Sequence, residues 1–268
     1  MHTAIMGILN VTPDSFSDGG RFQTTEAAVA QGHRLIAEGA DIVDIGGEST
    51  RPGAQPVPEE IELERVLPVI EALSAGSSAR ISIDTSKPRV AEACLRAGAT
   101  LVNDVTGLGD PGMARVAAGH GAGVVIMHMR GTPLTMREQV HYSDLIGEIK
   151  AELAPRVRMA REAGIQEVIV DPGIGFAKTP AQSFGILRRL RELEELGCPI
   201  LVGPSRKMFL GTLPGLEAPH FRLEGTLAAV VIGAMNGAAM VRVHDVLACR
   251  KALSVVDAVK GEGWTRSC

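Results

Sequence analysis

The chain is 268 residues long and carries 27 Lys and Arg against 31 Asp and Glu, a formal net charge of −4. That balance excludes a basic nucleic-acid tail, and 45% hydrophobic with 22% charged residues excludes a disordered chain. Only 3% of residues are aromatic while glycine numbers 31, so the core must be aliphatic.

In chain order, hydrophobic periodicity reads strand 4–9, helix 24–39, strand 41–45, helix 58–73, strand 80–83, helix 87–98, strand 100–103 and a weak helical turn at 113–119. The second half continues with strand 123–127, helix 143–164, strand 167–170, helix 181–197, strand 199–202, helix 222–237, strand 238–243 and helix 244–260. Strict strand–helix alternation over this length predicts an α/β fold, a closed (β/α)8 TIM barrel spanning 1–268 as one domain. A doubly wound open sheet would carry a glycine-rich dinucleotide loop after its first strand, where this chain has NVTPDSFSDGG.

The four cysteines, Cys94, Cys198, Cys249 and Cys268, are too scattered for a zinc site or redox pair, which fits a reducing cytoplasm. Asn10, Pro13 and Asp14 interrupt the first apolar stretch before a signal peptide could form. The most hydrophobic window, 227–241, is short for a membrane span and contains Asn236. The chain is therefore expected in the cytoplasm, with neither membrane nor nucleic acid as a partner.

Barrel enzymes place their chemistry at the C-terminal ends of the strands. Polar clusters follow nearly every predicted strand here: NVTPDSFSDGG (10–20), DIGGESTRPG (44–53), DTSKP (84–88), NDVTG (103–107), MHMRGTP (127–133), DPGIGFAKT (171–179), GPSRKMFLG (203–211) and RVHD (242–245). Taken singly, Asp44, Asp84, Asp104 and Asp171 each read as a helix cap or turn residue. Four aspartates at one end of four strands weaken that reading. His128 and His244 fit satisfied core histidines as well as site residues. Arg242 and His244, two apart on a strand, point to one side and would make an anion site. Neither HExxH, GxxxxGK[ST] nor GxSxG occurs, which favours binding and polarisation of a small polar molecule over covalent or zinc chemistry.

These eight motifs, in this order over nearly the whole chain, resemble those of the dihydropteroate synthases. That family joins p-aminobenzoate to 6-hydroxymethyl-7,8-dihydropterin diphosphate, giving 7,8-dihydropteroate and pyrophosphate in folate biosynthesis. The resemblance implies a transferase of the pterinylmethyl group in which Asp84, Asn103, Asp171 and Lys207 bind the pterin. It assigns Thr50, Arg51, Arg242 and His244 to the diphosphate, and Phe16, Pro52, Lys207 and Met208 to p-aminobenzoate. Many relatives carry serine where Met208 stands, so only backbone donors would serve there. Asp18, Lys207 and Asp84 are the implied catalytic groups, Asn10 the implied ligand of Mg2+, and a homodimer the implied assembly, with 222–237 a candidate seam. Loops 12–20 and 50–56 are expected to order only around substrate. A pterin-dependent methyltransferase on the same barrel is the nearest alternative and would not need the STRPG, SRK and RVHD pieces. A non-catalytic pterin-binding barrel is another, and would be expected to lack one of Asn10, Arg51, Lys207 and His244.

Overall fold

The computed structural model of the protein describes residues 2–12, 21–76 and 78–261. The strands are β1 (Ala4–Asn10), β2 (Ile42–Gly46), β3 (Arg80–Asp84), β4 (Leu101–Asp104), β5 (Gly123–Met127), β6 (Val168–Asp171), β7 (Ile200–Val202) and β8 (Ala238–Val243). Each pairs in parallel with the next and β8 returns to β1, closing a (β/α)8 barrel in sequence order. The helices are α1 (Arg21–Ala37), α2 (Glu59–Gly76), α3 (Pro88–Arg96), α4 (Pro111–Gly119), α5 (Leu145–Glu162), α6 (Pro180–Arg189), α7 (Leu223–Met235) and α8 (Val246–Lys260).

The predicted strands fall within one residue of these bounds because each strand is buried on both faces, so its apolar run is continuous. One face fills the barrel: Met6, Ile42, Leu101, Val125, Ile169, Leu201 and Met240 form an interior plug without an aromatic ring. The other face, including Ile5, Val43, Val102, Val124 and Val241, packs against the helical ring. Helix 181–197 is the clearest departure. It splits into α6 and a 3-10 segment, Leu190–Leu196, that ends on left-handed Gly197. Over seven residues the apolar spacing of a 3.0-residue turn cannot be told from that of a 3.6-residue turn. The weak turn at 113–119 starts two residues earlier, because Asp110 caps Gly112 N–H at 2.7 Å ahead of α4.

Two-residue alternation then decides which polar side chains enter the barrel. Asp44 follows Ile42, Asn103 follows Leu101, Asp171 follows Ile169 and Arg242 follows Met240, so all four stand above the plug on its C-terminal side. Asp104 has the opposite parity, and Asp44 lies two residues before the end of β2 rather than at its tip. No helix among the described residues is long and apolar enough to cross a membrane.

Candidate active site

The deepest polar layer is an ion cluster at the centre of the mouth. Arg242 Nε donates to Asp44 Oδ2 and Arg242 Nη2 to Asp84 Oδ2, both at 2.6 Å, and Asn103 Nδ2 donates to Asp44 Oδ2 at 2.9 Å. Asp44 is fully buried, so it orients an amide and a guanidinium that arrive from β4 and β8. Burial pushes the Asp84 carboxyl up to about 7 despite Arg242, with Asp44 adding to the rise. The two carboxylates hold the Arg242 guanidinium above its usual range against the cost of burial.

Asp171, at the tip of β6, and Lys207, in the loop after β7, form the second layer. Asp171 Oδ1 accepts Gly173 N–H at 2.7 Å, a short turn that needs glycine: Gly173 has φ +66°, and a Cβ there would lie 2.0 Å from the His128 carbonyl oxygen. Lys207 Nζ donates to the Ile174 carbonyl and sits 3.7 Å above the centre of the Phe176 ring. Burial raises the Asp171 carboxyl, opposed by Lys207, and lowers the Lys207 ammonium to about 7, opposed by Asp171.

Toward the rim, the Ser205 hydroxyl accepts His244 N–H at 3.2 Å and stands 2.9 Å from His244 Nδ1. The contact fixes the orientation of the imidazole beside Ser205, which can donate to a bare Nδ1 or accept from a protonated one. Burial and the Arg242 charge lower His244 to about 4, so it meets a ligand neutral, and Arg51 lies within electrostatic reach of it. Arg206, of the SRK piece, pairs with Asp245 through Nε and Nη2 and ties the loop after β7 to the start of α8.

The loop after β2 carries Thr50, Arg51 and Pro52 and is closed at its base by one carboxylate. Glu48 Oε2 accepts Val57 N–H at 2.9 Å and also pairs with Lys87, whose ammonium reaches buried Glu62. Gly53 N–H reaches across to the Pro133 carbonyl at 2.9 Å. Arg51 and Pro52 are exposed, and Met208 is 66% exposed. Asn10 is half-buried at the end of β1, opposite Gly46 in the register.

The structure therefore gathers Asp84, Asn103, Asp171, Lys207 and Arg242 inside the mouth, with His244 and the 50–52 loop on its rim. Phe16 and Asp18 lie outside the described residues, as does most of the 12–20 loop expected to order around substrate. Asp104 is a turn residue: its carboxylate accepts Thr106 N–H and hydroxyl and Leu108 N–H, so the end-of-strand pattern overstated it. Glu48 and Lys178 are not singled out by the sequence, and Asp44 and His128 are weighed there as candidates without a role, though strand parity alone puts Asp44 inside.

A barrel with this buried, charge-alternating mouth is a pterin-binding enzyme: residues 6–244 match the family described as pterin binding enzyme. Among its relatives, dihydropteroate synthase from Synechocystis is 47% identical over 96% of this chain and 90% of its own length. The enzyme of the same name from Escherichia coli is 44% identical over 96% of this chain and 92% of its own. Two solved structures from Xanthomonas albilineans, dihydropteroate synthase with 4-aminobenzoic acid and in complex with 7,8-dihydropteroate, superpose with TM-scores of 0.91 and 0.88. They are 48% and 46% identical, cover 97% of this chain, and are themselves covered over 93% and 94%. The chain belongs to the dihydropteroate synthase family of transferases in folate biosynthesis.

Proposed function

We propose that residues 1–268 act as one domain whose mouth joins p-aminobenzoate to 6-hydroxymethyl-7,8-dihydropterin diphosphate, with the residue roles that follow. The observation that carries these roles is the burial of an acceptor, Asp171, beside a donor, Lys207, above an apolar plug. The amino edge of a pterin presents adjacent N–H donors that one carboxylate can take, and its carbonyl edge needs a cation. Asp171 takes the first and Lys207 the second, while Asn103 and Asp84 address the ring nitrogens. Low dielectric strengthens each of these contacts.

Arg242 commits Nε and Nη2 to Asp44 and Asp84, which leaves Nη1 as its arm for a phosphate. With the Ser205 hydroxyl donating to Nδ1, neutral His244 donates from Nε2, and Thr50 and Arg51 close over the diphosphate from the loop after β2. Among the described residues no three His, Cys, Asp or Glu side chains group as metal ligands. Asn10 offers a single amide oxygen, which fits Mg2+ that keeps water and diphosphate oxygens as its other ligands. Bound there, Mg2+ would neutralise charge on the leaving group.

As the bond between the pterin methylene and the diphosphate oxygen breaks, the electron-rich ring delocalises the positive charge, and the family resemblance assigns Asp18 to that charge. The arylamine nitrogen of p-aminobenzoate then attacks the methylene and loses a proton. Positioning and electrostatic stabilisation account for the catalysis. Pro52 lines the aryl slot, to which the family resemblance also assigns Phe16, and the backbone at Lys207 and Met208 receives the carboxylate.

A pyrophosphate-release assay tests the assignment: release should require both substrates and Mg2+, and release indifferent to p-aminobenzoate would refute it. We also propose a cytoplasmic homodimer. Exposed Ile232 and Met235 on α7, with Leu247, Val255 and Val259 on α8, supply an apolar surface for a second copy. Sedimentation at micromolar concentration reads that directly.

A further inference from the structure

Two buried side chains in the mouth have no part in the reaction as assigned: Lys178, 8% exposed, and His128, 3% exposed. Lys178 Nζ donates to His128 Nδ1 at 3.0 Å, to the Phe176 carbonyl at 3.0 Å and to the His128 carbonyl at 3.4 Å. An ammonium only donates, so His128 Nδ1 accepts and the imidazole carries its proton on Nε2, 3.0 Å from Glu152 Oε2. Arg130 pairs with the same Glu152 and stacks 4.0 Å from the centre of the Tyr142 ring. The network thus runs from the outer helix α5 inward to one ammonium.

That ammonium is costly where it stands. It is buried, and Lys207, a second cation, bears on it. Packing does not require it, since methionine has a similar volume and no charge to desolvate. What it touches explains its presence. Asp171 is held by Gly173 N–H, and Gly173 lies against the His128 carbonyl. Lys207 rests on the Ile174 carbonyl and the Phe176 ring. Each of those contacts belongs to the 172–178 segment, which Lys178 fastens to His128 at the end of β5.

We propose that Lys178 is a positioning residue for pterin recognition: it fixes the 172–178 loop under Lys207 and sets its positive charge behind the Asp171 carboxylate. This rests on the assignment of Asp171 and Lys207 to the pterin. The charges facing Asp171 are Lys207, Lys178 and Arg242, all favouring its ionised form against burial. Those facing Lys178 are Asp171, Lys207, Glu152 and Arg130, with neutral His128 in contact and the Tyr142 ring 5.9 Å away. Removing Lys178 therefore moves the Asp171 titration to higher pH.

The test is calorimetric titration with 6-hydroxymethylpterin from about pH 5 to 9, spanning the range in which a raised carboxyl and a lowered lysine both change charge. Lys178→Met should bind about tenfold more weakly at neutral pH, with the acid limb of binding shifted upward. Lys178→Arg, which keeps the charge, should recover most of both. A folded Lys178→Met that binds like wild type with an unmoved limb overturns the proposal, as does Lys178→Arg behaving like Lys178→Met. If Lys178→Met fails to fold by circular dichroism, Lys178→Gln takes its place, keeping a donor for the Phe176 carbonyl without the charge. A moved limb there supports the proposal and an unmoved one overturns it. Wild-type protein that does not bind the pterin, or an Asp171→Ala variant that binds it equally well, would sink the underlying assignment instead.

Discussion

Asp84 gives the sharpest test of the electrostatics in the mouth. Burial lifts its carboxyl from the ordinary 3.8 to about 7 in the folded protein. The unfolded chain returns it to the ordinary value. Between those two values the unfolded state has released a proton that the folded state still holds, so stability falls as pH rises through that window. At about 1.36 kcal/mol for each tenfold change in proton affinity, the whole excursion is on the order of 4 kcal/mol. Asp84→Asn removes the ionisation and keeps an oxygen for Arg242 Nη2. The other titrating groups of the mouth, Asp171, Lys178 and Lys207, stay in both proteins and largely cancel in the comparison.

Urea unfolding of wild type and Asp84→Asn at stepped pH measures the difference directly. The stability of wild type relative to the variant should decline from about pH 4 to 7 and level off above that. Curves that keep a constant separation across this range would show that Arg242 holds Asp84 ionised throughout. The reasoning from burial would then fail, and Asp84 would be restricted to accepting hydrogen bonds from a bound ring.

Three further outcomes follow from the geometry. Gly173→Ala must accept a left-handed backbone, at about 1–2 kcal/mol, and push the His128 carbonyl away from its new Cβ; it should lower the melting temperature and weaken pterin binding together. Asp171→Ala should abolish binding of pterin alone, whereas Arg51→Ala should leave that binding intact and weaken use of the diphosphate substrate; equal losses by calorimetry would refute the division of roles. Glu48→Ala unties Val57 N–H and Lys87 at the base of the 50–52 loop, so KM for the diphosphate substrate should rise about tenfold while pterin binding is spared, and Glu48→Gln should restore part of the loss. Steady-state kinetics on the three proteins decides it.

What was legible in the sequence depended on whether the determinant was local. Strands such as GVVIM at 123–127 are bounded by their own apolar runs, so their limits could be read directly. The location of the site was legible for the same reason, because a barrel brings every strand tip to one mouth. Individual roles were less so. Asp44 is defined by partners 59 and 198 residues away, a pairing that no local pattern records. Asp104 was grouped with the site aspartates by its place at a strand end, although its parity turns it toward the helices and the Thr106 turn. Lys178, in a glycine-rich loop, looks like a solvated charge until the fold carries it against His128.

The charges of the mouth also sort by depth in a way that matches the substrate. Asp44, Asp84 and Asp171 are interleaved with Arg242, Lys178 and Lys207 across the interior, three carboxylates against three cations. Such a layer can be buried because each charge has a counter-charge within reach. A pterin is neutral and hydrogen-bonds along its edges, so it can enter without upsetting that balance. A diphosphate would upset it. On the reading proposed above, its extra negative charge is met by Arg242 Nη1 from the edge of that layer and by Arg51 at the rim, where Arg51 is exposed and water screens whatever the protein leaves unpaired.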